Sequence, residues 1–328
     1  MGSGIFGVDF GGSNLRIAMV DADSGELLEE PYARALDGVL ANGQLSELVM
    51  RRIPSGSRVG ICAAGNVDEK RLVVLESPNS LVKGEITFGR ELAERGCIVS
   101  MTNDVKAAAL AAARFGEGRG SENVLLATYS SGFNCAVVRA GLLATSAEFG
   151  HMPYPREPAL ACGCGGRGHI EAYVSGNGAA AMAREFFKAH PTSKHPILDA
   201  ALAEREKAVK RRPAKNEVAK LIRSKHVYAA YRADPKQEPQ KSIRELQVRA
   251  IADSLGMMNS AYHPLDVMLL MGGQTKDWPI LFEPAIELYH KETLQLPSLP
   301  KPPVLRVEMR EIGVRGAVAY FASQHREI

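Results

Sequence analysis

Cys162-Gly163-Cys164-Gly165-Gly166-Arg167-Gly168-His169-Ile170-Glu171 follows closely on Glu148-Phe149-Gly150-His151. Two thiols, two imidazoles and two carboxylates therefore fall within 24 residues. His151, Cys162, Cys164 and His169 form a four-ligand nitrogen and sulfur set of the kind that holds zinc. A closed set leaves no open coordination position, which argues for a structural metal rather than a catalytic one. The alternative is four unrelated residues in a glycine-rich loop, although the glycines are what a tight wrap needs. Cys162 and Cys164 are poorly spaced to bond each other and well spaced to share a metal. Glu148 and Glu171 flank the set and remain for a ligand, so function is expected to run through this loop.

The rest of the chain narrows the setting. It has 328 residues, 45% hydrophobic and 23% charged, a globular composition whose length suits two domains. The net charge of +3 is too small to imply a polyanionic partner. The apolar runs are strand-sized, and none approaches a membrane span. Met1-Gly2-Ser3-Gly4 leads straight into an apolar run without a basic or hydrophobic leader, so a cytoplasmic protein is expected. Cys62, Cys97 and Cys135 stand singly in apolar surroundings and read as reduced core thiols.

Hydrophobic patterning predicts strands at 5–9 and 15–21 around a turn at Gly11-Gly12-Ser13-Asn14, and at 58–63, 97–101, 123–129, 135–139, 266–271 and 304–309. Helices are predicted over 105–115, 171–190 with a break near Ser175, 243–262, 279–291 and 313–322. Alternation of strands and helices indicates an α/β protein. The hairpin at 123–139 resembles the one at 5–21, which suggests a duplicated unit. Residues 205–225 carry nine Lys/Arg against two Glu. With few aromatics and no DNA-binding motif, this stretch reads as solvated helices rather than a nucleic-acid arm.

Four further segments carry chemistry. At Asp9-Phe10-Gly11-Gly12-Ser13-Asn14, the glycine N–H groups and the Ser13 hydroxyl can receive phosphate oxygens, and Asp9 can hold the magnesium that accompanies a nucleotide. A plain hairpin turn is the simpler alternative. Asn103-Asp104 closes a strand and opens a helix; Asn103 can cap while Asp104, rigidly held, accepts a proton from a sugar hydroxyl. The turn Ser130-Ser131-Gly132 offers a second phosphate cradle, with Ser131 and Gly132 at its tip. Gly272-Gly273, after a strand and before a helix, suits the base or ribose side of a nucleotide.

The ordered set resembles the ROK family of the actin-like ATPase superfamily over nearly the whole chain. Asp9-x-Gly-Gly-Ser is similar to the family's Asp-x-Gly-Gly-Thr. Gly60-Ile-Cys-Ala-Ala-Gly65 resembles its Gly-x-x-x-Pro-Gly, and Pro78-Asn79 its following Pro-Asn. Asn103-Asp104-x-x-Ala-Ala-Ala-Leu resembles its catalytic motif. Glu148-x-Gly-His151 and Cys-x-Cys-Gly-x-x-Gly-x-x-Glu171 resemble its two signatures, and Met271-Gly272-Gly273 its adenosine-side diglycine. The resemblance implies a two-lobed actin-like ATPase (ribonuclease H-like) fold with a zinc-bound loop. The implied lobes are residues 1–105 plus 305–328 and residues 106–304, the latter with a helical insertion near 191–242. It implies a hexose kinase using ATP, magnesium and a structural zinc, and a homodimer without nucleic-acid or membrane partners. Asp104 is then the base at the sugar 6-hydroxyl. Asn103, Glu148, His151 and Glu171 bind sugar hydroxyls, with Gly65 and Asn79 nearby.

This chain departs from the family pattern at four places. His169 stands where a third zinc cysteine is usual. Ser130-Ser131-Gly132-Phe133-Asn134 replaces Gly-Thr-Gly-x-Gly. Ala64 replaces a proline, and Lys106 and Ala112 replace an Asn and a Glu. Glucose, or another aldohexose, is the first expected substrate, and N-acetylmannosamine or N-acetylglucosamine the second. A sugar-binding sensor with weakened catalysis is the alternative outside the kinases. A sugar-independent ATPase leaves Glu148, His151 and Glu171 without a role.

Overall fold

The computed structural model describes every residue except 1–3, 13, 37–41, 78–81, 83, 158, 192–193, 209–214, 294–295 and 326–328. In chain order the first half holds β1 (Gly4–Phe10), β2 (Asn14–Asp21), β3 (Tyr32–Ala35), α1 (Asn42–Met50), β4 (Arg58–Ala63), β5 (Asn66–Asp68), β6 (Val73–Glu76), α2 (Phe88–Glu94) and β7 (Ile98–Asn103). Then come α3 (Asp104–Phe115), β8 (Asn123–Tyr129), β9 (Phe133–Arg139), β10 (Leu142–Ala147), α4 (Glu171–Val174) and α5 (Gly176–Ala189). The remainder is α6 (Pro196–Ala208), α7 (Ser224–Ala233), α8 (Gln240–Tyr262), β11 (Val267–Met271), α9 (Trp278–Glu292), β12 (Val304–Arg306) and α10 (Ile312–Gln324). Among the described residues no helix is long and apolar enough to cross a membrane.

The strands form two five-stranded sheets in the orders β3-β2-β1-β4-β7 and β10-β9-β8-β11-β12. Each is an antiparallel meander continued by two parallel strands. The two orders are the same order repeated, the duplication that the paired hairpins suggest. Strand period explains how the second sheet serves two cores. Val124 and Leu126 of β8, Ala136 and Val138 of β9, and Val267 and Leu269 of β11 face a cluster built on α3. Their neighbours Leu125, Ala127, Cys135, Val137, Met268 and Leu270 face the larger cluster built on α5, α8 and α9.

Helices α3 and α10 lie between the sheets. The segment 107–112 of α3 is buried on every side, which its five alanines permit. A Cβ placed on Gly316 of α10 would lie 2.4 Å from the Ala107 carbonyl oxygen, so the two helices cross in backbone contact. α10 also packs on β1 and β4, which brings the end of the chain back to the first sheet.

Local chemistry accounts for the element ends. Ser175 breaks the helical stretch after α4 because its hydroxyl accepts the Gly178 N–H at 3.0 Å and caps α5. The strand expected over 304–309 stops at Arg306, since the Glu308 N–H turns to the Glu117 carboxylate at 2.7 Å instead of continuing along β11. The basic stretch is only partly a solvated surface. Ile222, Val227 and Tyr228 enter the large core, while Arg223, Lys225 and His226 converge on Glu204 at 3.2, 2.7 and 2.7 Å. Its middle, 209–214, lies outside the described residues.

Gly316→Val tests the helix crossing. Overpacking at a backbone contact costs about 1–3 kcal/mol, so the urea midpoint of unfolding is expected to fall. An unchanged midpoint would show that the helices can separate without cost.

Candidate active site

The parallel strands of the first sheet end side by side, with Phe10 beside Ala63 and Ala63 beside Asn103. Beyond these ends and the β8–β9 turn lies a cleft of about 880 Å³. It gathers Gly11, Gly12, Gly65, Asn103 and Asp104 from one side and Ser131, Gly132, Glu148 and Glu171 from the other. These residues are separated by up to 160 positions in sequence, yet they face one space.

Asn103 ends β7 and caps α3, its side-chain oxygen accepting the Val105 N–H at 2.9 Å. Its amide nitrogen donates to the Gly65 carbonyl at 3.2 Å, which ties the end of β7 to the turn after β4. Asp104 follows as the first residue of α3, one carboxylate oxygen 2.9 Å from the same N–H. Burial raises the Asp104 carboxyl to about 6, and the negative charge of Asp9 adds to the effect. A carboxyl at that value is ionised at neutral pH and basic enough to take a proton.

Asp9 sits beneath the cleft rather than on its wall. It rests on Gly313 at the start of α10, where a Cβ would lie 2.4 Å from its carboxyl carbon. Burial raises its carboxyl above the usual range, against the opposing charge of Arg16 at 3.4 Å. The Cys62 thiol donates to it at 3.6 Å.

Glu171, the first residue of α4, accepts the Phe133 N–H at 3.0 Å. A Cβ on Gly132 would stand 2.8 Å from the same carboxylate oxygen, so a side chain there would make the Glu171 carboxylate shift. Asn134 orients Glu148: its amide nitrogen is 3.4 Å from the Glu148 carboxylate, and its oxygen accepts the Phe149 N–H at 3.2 Å.

Behind Glu171 the predicted metal ligands converge. One ligand atom from each of His151, Cys162, Cys164 and His169 can be chosen so that all four lie within 4.8 Å of one another. Nδ1 of His151 is 3.7 Å from the Cys162 sulfur, and Nδ1 of His169 is 3.2 Å from the Cys164 sulfur. Tetrahedral zinc separates its ligand atoms by roughly 3.3–3.8 Å, so the set fits a zinc ion after small adjustment. His151 belongs to this cluster and is not on the cleft wall.

Gly272 and Gly273 stand apart from the cleft. Gly272 has φ +107°, and its backbone lies against Tyr129 at the end of β8. Gly273 borders a second hollow of about 470 Å³ with Tyr228, Lys225, Arg232 and Gln274. Gln274 is buried and donates to the Ser130 carbonyl at 3.3 Å and to that of Val174 at 2.9 Å, so it joins the diglycine turn to the β8–β9 turn. Ser13 and Asn79 lie outside the described residues.

The sequence motifs give no role to Glu69, Glu76 or Asn134, which also line the cleft. Lys106, visible only as a departure from a motif, lines it too and donates to Glu69 at 2.9 Å. Burial alone would raise Glu69, but bonds from Lys106, Thr102 and Tyr320 outweigh it and hold the carboxyl below its ordinary value.

Two sheets of one topology, with a carboxylate-rich cleft between their strand ends, define the class of protein. Residues 5–324 match the model of the ROK family, and the chain belongs to that family. The glucokinase of Thermotoga maritima is 29% identical over 300 residues, 86% of each chain. A ROK family glucokinase from Streptomyces griseus, solved in complex with glucose and AMPPNP, is similar in structure with a TM-score of 0.69 and 25% identity, over 97% of this chain and 98% of that one. The ROK hexokinase of Thermus thermophilus shares the fold with a TM-score of 0.72 and 24% identity, over 98% and 99%.

Asn103→Ala removes both the cap and the tie to Gly65. Loss of about 1 kcal/mol of stability is expected from the cap alone, read as a lower denaturation midpoint. A variant as stable as the parent would show that Asp104 caps α3 sufficiently by itself.

Proposed function

We propose that the protein transfers the terminal phosphoryl group of ATP to the 6-hydroxyl of glucose or a related aldohexose, with Asp104 as general base. The observation that carries this reading is a buried carboxyl raised to about 6 that faces two further carboxylates, Glu148 and Glu171, across one cleft. Family membership and the likeness to the Thermotoga and Streptomyces glucokinases support it. Asp104 takes the hydroxyl proton as the sugar oxygen attacks phosphorus, the bond to the bridging oxygen breaks, and ADP leaves. Phosphoryl transfer needs positioning and charge neutralisation more than covalent help. Asn103, Glu148, Glu171 and the Gly65 turn position the sugar, and Asn79 joins them. His151, expected to bind the sugar, instead turns Nδ1 to the Cys162 thiol off the cleft wall and acts through the loop it helps to hold. Gly11, Gly12, Ser13, Ser131 and Gly132 receive phosphate oxygens, and Gly272 and Gly273 receive the nucleoside.

Asp9 is the residue that would hold magnesium, which neutralises phosphate charge when bound. His151, Cys162, Cys164 and His169 would hold zinc, whose part is to fix the loop that carries Glu148 and Glu171. Residues 1–105 with 305–328 form the smaller lobe in this reading, and 106–304 the larger. Their closure over the sugar excludes water from the reaction.

An ATP-coupled assay over hexoses and their N-acetylamino analogues tests the reading, and no ATP consumption above background would refute it. Asp104→Asn is expected to lower kcat by about 10²–10⁴-fold with sugar affinity nearly intact; a variant keeping most of its kcat would remove Asp104 from the role. The wild-type kcat/KM is expected to fall as pH drops through about 6, because the raised carboxyl gains its proton there and ceases to be a base. A profile flat to pH 5 would contradict that assignment.

Removing the metal with a chelator, or weakening its site with Cys164→Ser, is expected to raise the sugar KM by about tenfold or more. Unchanged kinetics after measured zinc loss would show that the metal does not organise the sugar side.

A further inference from the structure

The elements that line the catalytic cleft with one end line a second cavity with the other. This cavity, about 560 Å³, is bounded by Ile5, Arg58, Arg114, Val138, Ala322 and His325 among others. Ile5 begins β1 and Asp9 nearly ends it; Arg58 begins β4, whose other end meets Gly65. Val138 lies near the end of β9, and Phe133 at its start borders the cleft. On α3, Asp104 and Arg114 stand roughly 15 Å apart along the helix axis. The cavity is therefore at the rear of the molecule, between the sheets, with residues of both sheets in its wall.

Helix geometry connects front and rear. α3 and α10 touch at Ala107 and Gly316. In front of that crossing, their first turns carry Asp104 and the Gly313 seat of Asp9. Behind it, Leu110, Ala113 and Arg114 of α3 and Ala319 and Ala322 of α10 line the cavity.

The wall chemistry selects the occupant. Leu110, Val138, Ala319 and Phe321 give an apolar floor. Among the described residues, Arg58, Arg114 and His325 stand at the rim with one acidic residue, the exposed Asp23, 3.8 Å from Arg114. Arg58 also donates to the Gly4 carbonyl at 3.3 Å, and His325 meets the Ser100 hydroxyl at 3.0 Å, so both are fixed in place.

We propose that this rear cavity binds a small organic anion with an apolar body, and that its occupation weakens sugar binding by spreading the α3–α10 crossing. The effect on sugar binding rests on the kinase reading above; the binding site itself does not.

The probe is 8-anilinonaphthalene-1-sulfonate, titrated into the full chain and read by fluorescence. Saturable binding of one molecule per chain is expected, undisturbed by a non-hydrolysable ATP analogue. Arg114→Glu is expected to weaken it at least tenfold, and Ala322→Phe, which fills the cavity, to abolish it. Saturating probe is expected to raise the hexose KM several-fold in the wild type and not in Ala322→Phe. Failure to saturate, displacement by the ATP analogue, or equal binding in both variants would overturn the site. Binding with an unchanged hexose KM would overturn the coupling. Protein that binds the probe as described but phosphorylates no sugar would refute the kinase reading and leave the site standing.

Discussion

Contact between the Gly316 backbone and the Ala107 carbonyl is the constraint from which the rest of the site follows. A side chain at 316 would push the helices apart. With none there, both helices bring their first turns to the same place, Asp104 opening one and Gly313 seating Asp9 on the other. The two carboxylates then share a poorly solvated space. Helix N-termini favour anions by up to about 1–2 kcal/mol. Burial outweighs that benefit here: raising Asp104 from 3.8 to about 6 corresponds to about 3 kcal/mol of disfavour for its charged form. The crossing thus sets the position of the Asp104 carboxyl and also its affinity for a proton.

Glu171 links the remaining parts. It opens α4, takes the Phe133 N–H of the β8–β9 turn, and lies 3.5 Å from the Cys162 sulfur. A shift in the Cys/His loop moves this carboxylate, and through Phe133 it moves the turn. The Cys/His loop and the β8–β9 turn are therefore joined through one side chain. Gln274 makes a second tie, from the diglycine turn to the Ser130 carbonyl.

Parts of the site that are contiguous in sequence were legible there. Asn103-Asp104 reads as a strand end and helix start because cap chemistry is local, and the expected Asn103 cap is present. His151, Cys162, Cys164 and His169 span only 19 positions, so their convergence follows from a short glycine-rich wrap. Glu69 carried no such signal. It belongs to no motif, and its partners Thr102, Lys106 and Tyr320 come from β7, α3 and α10. Short elements were missed for a related reason. β3 and β10 are edge strands with little apolar alternation, formed because a neighbouring strand offers them an edge. α1 and α2 are nine and seven residues long, too short for a helical period to stand out.

The Ser130-Ser131-Gly132 turn has lost glycines relative to the family pattern, yet its backbone keeps what a phosphate requires. The Ser130 and Ser131 carbonyls, which would repel an anion, accept the Gly176 and Asn177 N–H groups of α5 at 2.8 and 3.1 Å. The Ser130 N–H turns back to the Gly132 carbonyl at 2.9 Å, and the Phe133 N–H is taken by Glu171. The Ser131 and Gly132 N–H groups have no partner among the described residues and border the cleft. Acceptors are thus neutralised from behind by a helix start, while two donors stay available in front. A glycine at 130 would add room but no further donor, since serine contributes the same N–H and a hydroxyl besides. Serine at 130 exchanges backbone latitude for side-chain hydrogen bonding, and Gly132, which Glu171 crowds, is unchanged.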